Sequence, residues 1–319
     1  MSVDGPIVVL AGGTGGAKLA RGVLDADDGR LVVVANPGDD TVVHGGHVSP
    51  DPDLVTFWLA DRIDDRGWGL RDDTFTVMDG LRELGDDVWF NLGDRDLALC
   101  LHRARRLAAG ERLTTITADA CRAFGVPERA LVLPASDDPV RTQIQADDRW
   151  WPFQEFMIRG GGRDDALAVQ DVRFDGAADA TPSAEVLDAI AQARTVIIGP
   201  SNPIISIGPM LAIPALRDAL RTTPAPVVAV APFVAGQVVK GPTRSFLEWA
   251  GVSVDTAGVA GLYGAVRLDG MVTDERVDLP VPSLTTPTDL GLASSRASVA
   301  RELLRFCGTV SAVPVRSAP

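Results

Sequence analysis

Short apolar runs recur along the chain, and most of them end in glycine or a small polar residue. The clearest runs cover residues 7–11, 31–35, 195–199 and 227–231. Because neighbouring positions in these runs are all apolar, both faces of each strand are expected to be buried, as in a parallel sheet covered by helices. Segments with helical character lie between the runs. The alternation predicts an α/β protein with a Rossmann-like, three-layer fold and a mostly parallel sheet.

The segments between the apolar runs carry helical spacing and helix-start residues. Helices are predicted near residues 52–63, 74–85, 94–109, 183–193, 208–220, 244–249 and 290–306. Residues 259–268 have β character around Tyr263. The proline-containing stretch 279–287 is predicted to be a mobile connection.

The middle of the chain departs from the α/β alternation. Segments 143–158 and 168–174 favour β-structure, and aromatic residues are concentrated there although they make up only 5% of the chain. We therefore predict a smaller β-rich insertion over residues 130–180. Residues 1–129 and 181–319 would form the Rossmann-like nucleotide-binding core.

A glycine-rich loop follows the first apolar run, in the sequence VVLAGGTGGAK. Glycines let backbone amides approach a ligand closely, and a helix that begins at such a loop points its positive N-terminus at the ligand. A tight strand-to-helix turn without a ligand is the alternative. We expect phosphate to bind here, through Gly12, Gly13, Thr14, Gly15, Gly16 and Lys18.

The loop matches neither of two common nucleotide-binding motifs. The P-loop pattern G-x-x-x-x-G-K-[ST] is absent, and the spacing differs from the dinucleotide pattern G-x-G-x-x-G. The second apolar run ends at Asn36, where an NAD site usually has an acidic residue that binds the ribose. A nicotinamide-dependent dehydrogenase is therefore disfavoured.

Two acidic turns follow the second apolar run. Asp39 and Asp40 lie in the first turn, and Asp51 and Asp53 in the second. These carboxylates could bind a metal ion or ribose hydroxyls, or they could serve only to cap the next segment. The imidazoles of His44 and His47 lie between the turns, and their three-residue spacing favours hydrogen bonding over a zinc site.

Two later loops add candidate ligand-binding groups. In the sequence LGDRD, Arg95 lies between Asp94 and Asp96, either in a surface ion-pair cluster or positioned to bind an anionic group. The apolar run 195–199 ends in GPSNP, so Ser201, Asn202 and Pro203 are expected at the same sheet edge as the glycine-rich loop.

Composition excludes several classes of protein. A net charge of −13 argues against a general nucleic-acid binder. The three cysteines include no C-x-x-C pair, so neither a disulfide framework nor a zinc site is indicated. No apolar run is long enough to span a membrane and no signal sequence is recognisable, so a cytoplasmic protein is expected.

A series of sequence blocks resembles the 2-phospho-L-lactate transferase family of deazaflavin coenzyme biosynthesis. In chain order they are GGTGGAK, NPGDDTVVHG, SPDPD, DRGWGLRDDTF, LGDRDLA, LPASDDPVRT, FQEF, GPSNPIISIGP and VVKGP. They run from residue 8 to about residue 265, so the resemblance covers most of the chain.

The resemblance implies a reaction and a set of site residues. A guanosine-diphosphate-activated three-carbon acid would donate its phospho-acid unit to the ribityl hydroxyl of the deazaflavin Fo, releasing GMP with the help of Mg²⁺. The expected catalytic residues are Asp51, Asp53 and Arg95, with Asp39 and Asp51 as metal ligands. Further substrate contacts are expected from the glycine-rich loop and from Asn36, Asp39, Asp40, His44, Asp94, Ser201, Asn202, Pro203 and Lys240. A homodimer is also implied.

One departure from the family pattern leaves alternatives open. Where the resemblance implies an acidic residue before Tyr263, this chain has Gly261 and Leu262 in the sequence GVAGLY. The chain could be a divergent relative with another acceptor, or a non-catalytic nucleotide-binding regulator of the gluconeogenesis-factor type. The transferred acid is also open among phosphoenolpyruvate, 2-phospholactate and 3-phosphoglycerate. The Arg/Ala/Asp-rich composition is typical of a high-GC bacterium such as an actinobacterium, for which the resemblance implies phosphoenolpyruvate.

Overall fold

The computed structural model describes residues 5–161, 168–238 and 241–310. Its strands are β1 Ile7–Ala11, β2 Leu31–Ala35, β3 Thr41–Val43, β4 Gly46–Val48, β5 Ala130–Pro134, β6 Arg141–Ala146, β7 Arg149–Pro152, β8 Asp171–Asp175, β9 Thr195–Ile198, β10 Val227–Val230, β11 Phe233–Val234, β12 Gln237–Val238, β13 Gly270–Thr273 and β14 Ser283–Thr285.

The helices are α1 Gly13–Ala26, α2 Pro50–Leu59, α3 Thr76–Glu83, α4 Asp94–Ala108, α5 Leu113–Phe124, α6 Phe153–Glu155, α7 Ala184–Gln192, α8 Gly208–Leu211, α9 Pro214–Thr222, α10 Thr243–Trp249, α11 Thr256–Leu262 and α12 Ala293–Thr309. A π-helical segment, Phe156–Gly161, continues α6, and a 3₁₀ turn, Tyr263–Ala265, follows α11. No helix among the described residues combines the length and apolar character needed to cross a membrane.

A seven-stranded sheet with the order β14-β13-β10-β9-β1-β2-β5 forms the centre of the molecule. All of its strand pairs are parallel. Ile7 of β1 pairs with Leu31 of β2 on one side and with Thr195 of β9 on the other. The predicted α/β fold with a parallel sheet is confirmed.

Helices cover both faces of the sheet. Ile7 and Val9 lie in one apolar core with residues of α1, α2, α5 and α12. Val8 and Leu10 lie in a second core with residues of α7, α8, α9 and α11. Successive β1 side chains thus enter opposite cores, which is why the whole strand is apolar.

A small antiparallel sheet, β7-β6-β8, stands apart from the parallel sheet. It lies within the predicted β-rich insertion, but the first residues of that segment do not belong to it. Ala130–Pro134 forms β5, which pairs with β2 at one edge of the main sheet. Apolar residues on both faces of β5 are buried, so this strand forms part of the main core.

Two other sequence predictions were wrong. Residues predicted to have β character around Tyr263 form the end of α11 and the 3₁₀ turn, because the Asp255 carboxylate caps the helix at the Gly258 amide, 2.8 Å away, and Val259 and Tyr263 share a buried helical face. The stretch predicted to be a mobile connection contains β14, which pairs with β13 at the other sheet edge.

Candidate functional site

A cleft of about 660 Å³ opens at the C-terminal ends of β1, β2, β9 and β10. The chain continues from β1 to β2 on one side, whereas β9 lies on the other side of β1, so the cleft lies at the switch point where open α/β sheets bind ligands. The predicted site residues that line it are Gly12, Gly13, Thr14, Gly15, Lys18, Asp39, Asp51, Asp53, Ser201 and Asn202.

The glycine-rich loop packs tightly against the loop that follows β9. A Cβ atom at Gly15 would collide with the Pro200 carbonyl oxygen, and Gly13 has a φ of +65°, which favours glycine. The Gly12 amide donates to Ser201 Oγ at 3.3 Å, and the Gly13 amide donates to Asp51 Oδ1 at 2.5 Å. Two amides that we expected to hold phosphate therefore already bind protein groups, which leaves the amides that follow Gly13 in the first turn of α1 for an anion.

Asn36 holds two of the predicted metal ligands. Its Nδ2 donates to Asp39 Oδ1 at 3.0 Å and to Asp51 Oδ2 at 2.9 Å. The Gly38 amide donates to Asn36 Oδ1 at 2.8 Å, which fixes the orientation of the amide group. Asn36 is fully buried behind the two carboxylates, so its part in the site is to position them.

Asp40 faces away from the cleft, into a second layer of polar contacts. Its Oδ2 accepts from Ser49 Oγ at 2.9 Å and lies 3.0 Å from His47 Nε2. His44 Nε2 lies 2.9 Å from the Phe90 carbonyl oxygen. Both imidazoles thus form hydrogen bonds, which agrees with the interpretation made from their spacing.

Asp53 is paired with an arginine that the sequence did not single out. Arg103 Nη2 donates to Asp53 Oδ1, and Arg103 Nη1 donates to the His47 carbonyl oxygen at 2.8 Å. Among the described residues, Asp53 Oδ2 is buried without a hydrogen-bond partner. Oδ1 of this predicted catalytic carboxylate is therefore bound by Arg103, and Oδ2 can bind a ligand.

Asp39, Asp40, Asp51, Asp53 and Asp96 form what we call the acidic cluster. Burial, which disfavours the charged form, raises the pKa of Asp51 to about 6. Burial and the neighbouring Asp53 charge raise the pKa of Asp96 to about 7. Burial and the Asp51 charge likewise raise the pKa of Asp39. The cluster accumulates more negative charge than its surroundings neutralise, which favours a bound cation.

The donor atoms of the cluster suit a hard divalent cation. Oxygen ligands from carboxylates are what Mg²⁺ and Ca²⁺ prefer, and Asp39 and Asp51 of the cluster both line the cleft. Ligand atoms of Asp53, Asp96 and Cys100 lie within 4.8 Å of one another. Burial raises the pKa of the Cys100 thiol, so it stays protonated and is a poor ligand for such an ion.

Several predicted site residues lie outside the cleft lining. Asp94 accepts from the Thr76 and Val77 amides and so caps α3, and Arg95 is exposed, with Nη1 3.4 Å from the Arg71 carbonyl oxygen. Gly16 packs against Ala11 and Ser201. The others are Asn36, Asp40 and His44, described above, and Pro203, which is buried. Lys240 falls outside the described residues.

Comparison with known proteins places the chain in a family. Its sequence matches the family described as 2-phospho-L-lactate transferase CofD over residues 7–286. It is 39% identical over 276 residues to a phosphoenolpyruvate transferase of Kitasatospora aureofaciens, with 84% of each chain covered. It is 38% identical over 272 residues to a 2-phospho-L-lactate transferase of Methanosarcina mazei, covering 85% of this chain and 87% of the relative. The chain belongs to the CofD family.

The family resemblance noted from the sequence blocks is thereby confirmed, and a solved structure supports the fold. A crystal structure of a UPF0052 family protein from Bacillus halodurans has a TM-score of 0.58 to this CofD-family chain, with 14% sequence identity. The match covers 95% of this chain and 100% of the other. At this identity, the likeness concerns the architecture alone.

One side of the cleft is an apolar wall, and the CofD-family sequence blocks did not predict a role for its residues. Trp68, Trp89 and Phe90 line one part of it, together with Phe153, Met157 and Ile158 from the segment that follows β7. The aromatic concentration near residues 150–156 was the available signal. Asp96, Ser206, Thr243 and Asp289 also line the cleft.

Gly261, where the CofD-family pattern implies an acid, lies outside the lining of this cleft. The residue is exposed, and a Cβ atom built on it would meet no atom within 4 Å. Gly261 itself therefore contributes no contact to the described cleft lining.

Proposed function

We propose that this protein transfers a phospho-(three-carbon acid) unit from a guanosine-diphosphate-activated donor to the ribityl hydroxyl of the deazaflavin Fo. The products would be GMP and a form of coenzyme F-420 that carries no glutamate. The observation that carries the proposal is the family match over residues 7–286, which spans every element that contributes to the cleft except the last segment, 288–291.

The reaction requires one bond to form and one to break. The ribityl hydroxyl oxygen attacks the phosphorus that carries the acid, and the bond from that phosphorus to the GMP oxygen breaks. The hydroxyl proton passes to a base, and GMP leaves with the electron pair. Phosphoryl transfer depends mainly on positioning and on neutralisation of charge, so the protein needs no strong base. Asp53 Oδ2, buried and without a hydrogen bond, is our candidate to accept the proton.

We further propose that Mg²⁺ assists the transfer, held by Asp39 and Asp51. The acidic cluster would otherwise repel a diphosphate, since only Lys18 adds a positive side chain to the described cleft lining. When bound, such an ion neutralises charge on the phosphate oxygens. Asn36 bonds both carboxylates and so keeps the ligand pair in place.

The two chemically different parts of the cleft fit two different substrates. The first turn of α1 and the acidic cluster suit the metal-bridged diphosphate. The apolar wall of Trp68, Trp89 and Phe90 suits a planar ring system such as a deazaflavin, because aromatic faces stack on one another. Arg95 lies outside the described lining, so its expected catalytic role would require a different side-chain position.

The identity of the acid is not decided by the relatives, because phosphoenolpyruvate and 2-phospho-L-lactate transferases match almost equally well, at 39% and 38% identity. Donors that differ by a few atoms are also discriminated weakly by most pockets. We propose phosphoenolpyruvate on the basis of the Arg/Ala/Asp-rich composition. A cytoplasmic homodimer is proposed from the family resemblance.

The test is a mass-spectrometric assay of the purified protein with Fo, Mg²⁺ and each of the three guanylyl donors. A phospho-acid adduct of Fo, formed together with GMP, is the expected result, and its mass identifies the acid. Asp39→Asn should lose the adduct, whereas Asp188→Asn, an equal charge change at an exposed residue of α7 outside the cleft lining, should retain it. Binding of nucleotide without transfer from any donor would contradict the proposal and favour the regulator.

A further inference from the structure

The cleft has a second polar end beside the loop that follows β10, which β9 and β1 separate from β2, the strand that Asp39 of the acidic cluster follows. Asp289 is the one carboxylate of the described cleft lining that does not belong to that cluster. It lies on segment 288–291, which connects β14 to α12. Its position raises the question of which ligand group a solitary carboxylate would bind there.

Contacts within the protein hold segment 288–291 in place. The Gly291 amide donates to Asp289 Oδ1 at 2.9 Å, and Thr288 Oγ1 donates to the Phe233 carbonyl oxygen at 3.2 Å. Leu290 is buried in the main core. The Asp289 side chain itself is exposed, so its carboxylate is oriented by the backbone but is accessible from the cleft.

The chemistry of this end of the cleft selects one kind of ligand. An ionised carboxylate offers two acceptor oxygens side by side and no donor. Pro232, Val234 and Leu290 add apolar surface to the same part of the lining, which suits the flat faces of a base. A base that matches this carboxylate has two adjacent N–H donors in the plane of its ring. Guanine has these donors, in its N1–H and 2-amino groups, whereas adenine has an acceptor at N1.

We propose that Asp289 binds the Watson–Crick edge of the guanine base and makes the protein specific for guanine nucleotides. The inference deepens the proposed function and rests on it, because it assigns the base of the guanylyl donor to this end of the cleft. The diphosphate would then extend toward the first turn of α1. The deazaflavin would occupy the apolar wall.

The experiment measures nucleotide binding by calorimetry, with full-length protein and Mg²⁺, for GDP, IDP, XDP and ADP. IDP lacks the 2-amino group, and XDP has an oxygen in its place. A hydrogen bond between that amino group and a carboxylate should make wild-type protein bind GDP about 10- to 100-fold more tightly than IDP. ADP should bind more weakly still.

Asp289→Asn changes the preference in a defined way. The asparagine Oδ1 can still accept from the Gly291 amide, so segment 288–291 keeps its anchor. Its Nδ2 donor opposes the 2-amino group, so GDP affinity should fall about 10- to 100-fold and the preference for GDP over IDP should disappear. XDP should bind more tightly than it does to wild-type protein, because its 2-oxo group can accept from Nδ2. Asp278→Asn, an equal charge change at an exposed residue outside the lining, should leave all affinities unchanged.

Two results would overturn the inference, and they differ in what they say about the proposed function. If Asp289→Asn retains the wild-type preference for GDP over IDP, the base is bound elsewhere, and the transferase proposal is unaffected. If wild-type protein binds no guanine nucleotide, or binds ADP as tightly as GDP, both the guanylyl donor and the role of Asp289 are contradicted.

Discussion

Arg103 and Asp53 form an ion pair that is almost completely shielded from solvent, with 1% and 7% of the respective side chains exposed. The pair joins α4 to α2, and the second arm of the guanidinium binds the His47 carbonyl oxygen. Burial of two charges is tolerated only when each has the other as its partner. Asp53 therefore contributes to the fold as well as to the cleft.

Arg103→Met should lower the free energy of unfolding by about 3–5 kcal/mol, because it leaves the Asp53 carboxylate buried without its partner. Urea denaturation of the purified variant measures the loss. Arg106→Met is the matched control, since Arg106 lies on the same helix and its ion pairs with Glu111 and Asp119 lie near the surface, where such pairs contribute little. Equal losses for the two variants would contradict this account of the Arg103 pair.

Asp53→Asn and Asp39→Asn should have opposite effects on stability, although both should abolish transfer. Asp53→Asn leaves the Arg103 charge unbalanced and should destabilise the protein. Asp39 has like-charged neighbours in Asp51 and Asp40, so neutralising it should raise the urea midpoint measured in EDTA. A fall in stability for both variants would show that repulsion within the acidic cluster is small.

The stability of the metal-free protein should fall as the pH rises from about 4 to 7. Asp51 and Asp96 have pKa values raised to about 6 and about 7, so the folded state keeps protons that the unfolded state releases above pH 4. Unfolding is then favoured with rising pH, by up to about 1.4 kcal/mol per pH unit for each proton. Urea denaturation at each pH, with EDTA and then with excess Mg²⁺, measures the slope.

Mg²⁺ should flatten this pH dependence, because a bound cation favours the charged carboxylates. Asp51→Asn removes one of the titrating groups and should reduce the slope in EDTA. A slope that is unchanged in this variant, or unaffected by Mg²⁺, would argue against the acidic cluster as its source.

Gly15→Ala should destabilise the protein and weaken nucleotide binding, because the added methyl group collides with the Pro200 carbonyl oxygen and separates the two loops. Gly80→Ala is its counterpart. Gly80 lies inside α3, and a Cβ atom there meets nothing within 4 Å, so the change should stabilise by about 0.5–1 kcal/mol. Thermal unfolding and GDP calorimetry test both variants. Normal GDP affinity in Gly15→Ala would show that the contact with Pro200 is unimportant for the site.

The parallel sheet could be predicted from the sequence because each of its central strands can be recognised from a few consecutive residues. Each central strand is an apolar run, and β1, β2 and β9 are followed by glycine or asparagine, which marks the edge that carries the cleft. Helix α11 was missed because Val259 and Tyr263 are residue types that favour strands. The Asp255 cap and the buried face that the two residues share stabilise a helix instead. The edge strand β14 is half exposed and short, so its apolar pattern was too weak to recognise.

The candidate site was predictable only in part. Asp39, Asp51 and Asp53 follow strand ends or begin helices, and glycine-rich and SNP loops are visible as motifs. The buried partner of Asp53 was not visible, because Arg103 lies 50 residues away and reads as one of several basic residues on an amphipathic helix. Asp94 and Arg95 were favoured because the motif LGDRD contains them, but the residue of that motif that reaches the cleft is Asp96.

The hydrogen bond between the Gly12 amide and Ser201 Oγ joins residues separated by 189 positions along the chain. β1 can pair with β2 as soon as the first part of the chain has been synthesised. Its other neighbour, β9, comes much later in the sequence. Such distant pairing is slow, because a long loop must close before any contact forms. During synthesis, the cleft can therefore take shape only after about two thirds of the protein has left the ribosome. Until then, the exposed edge of β1 is a point at which the nascent chain is vulnerable to aggregation.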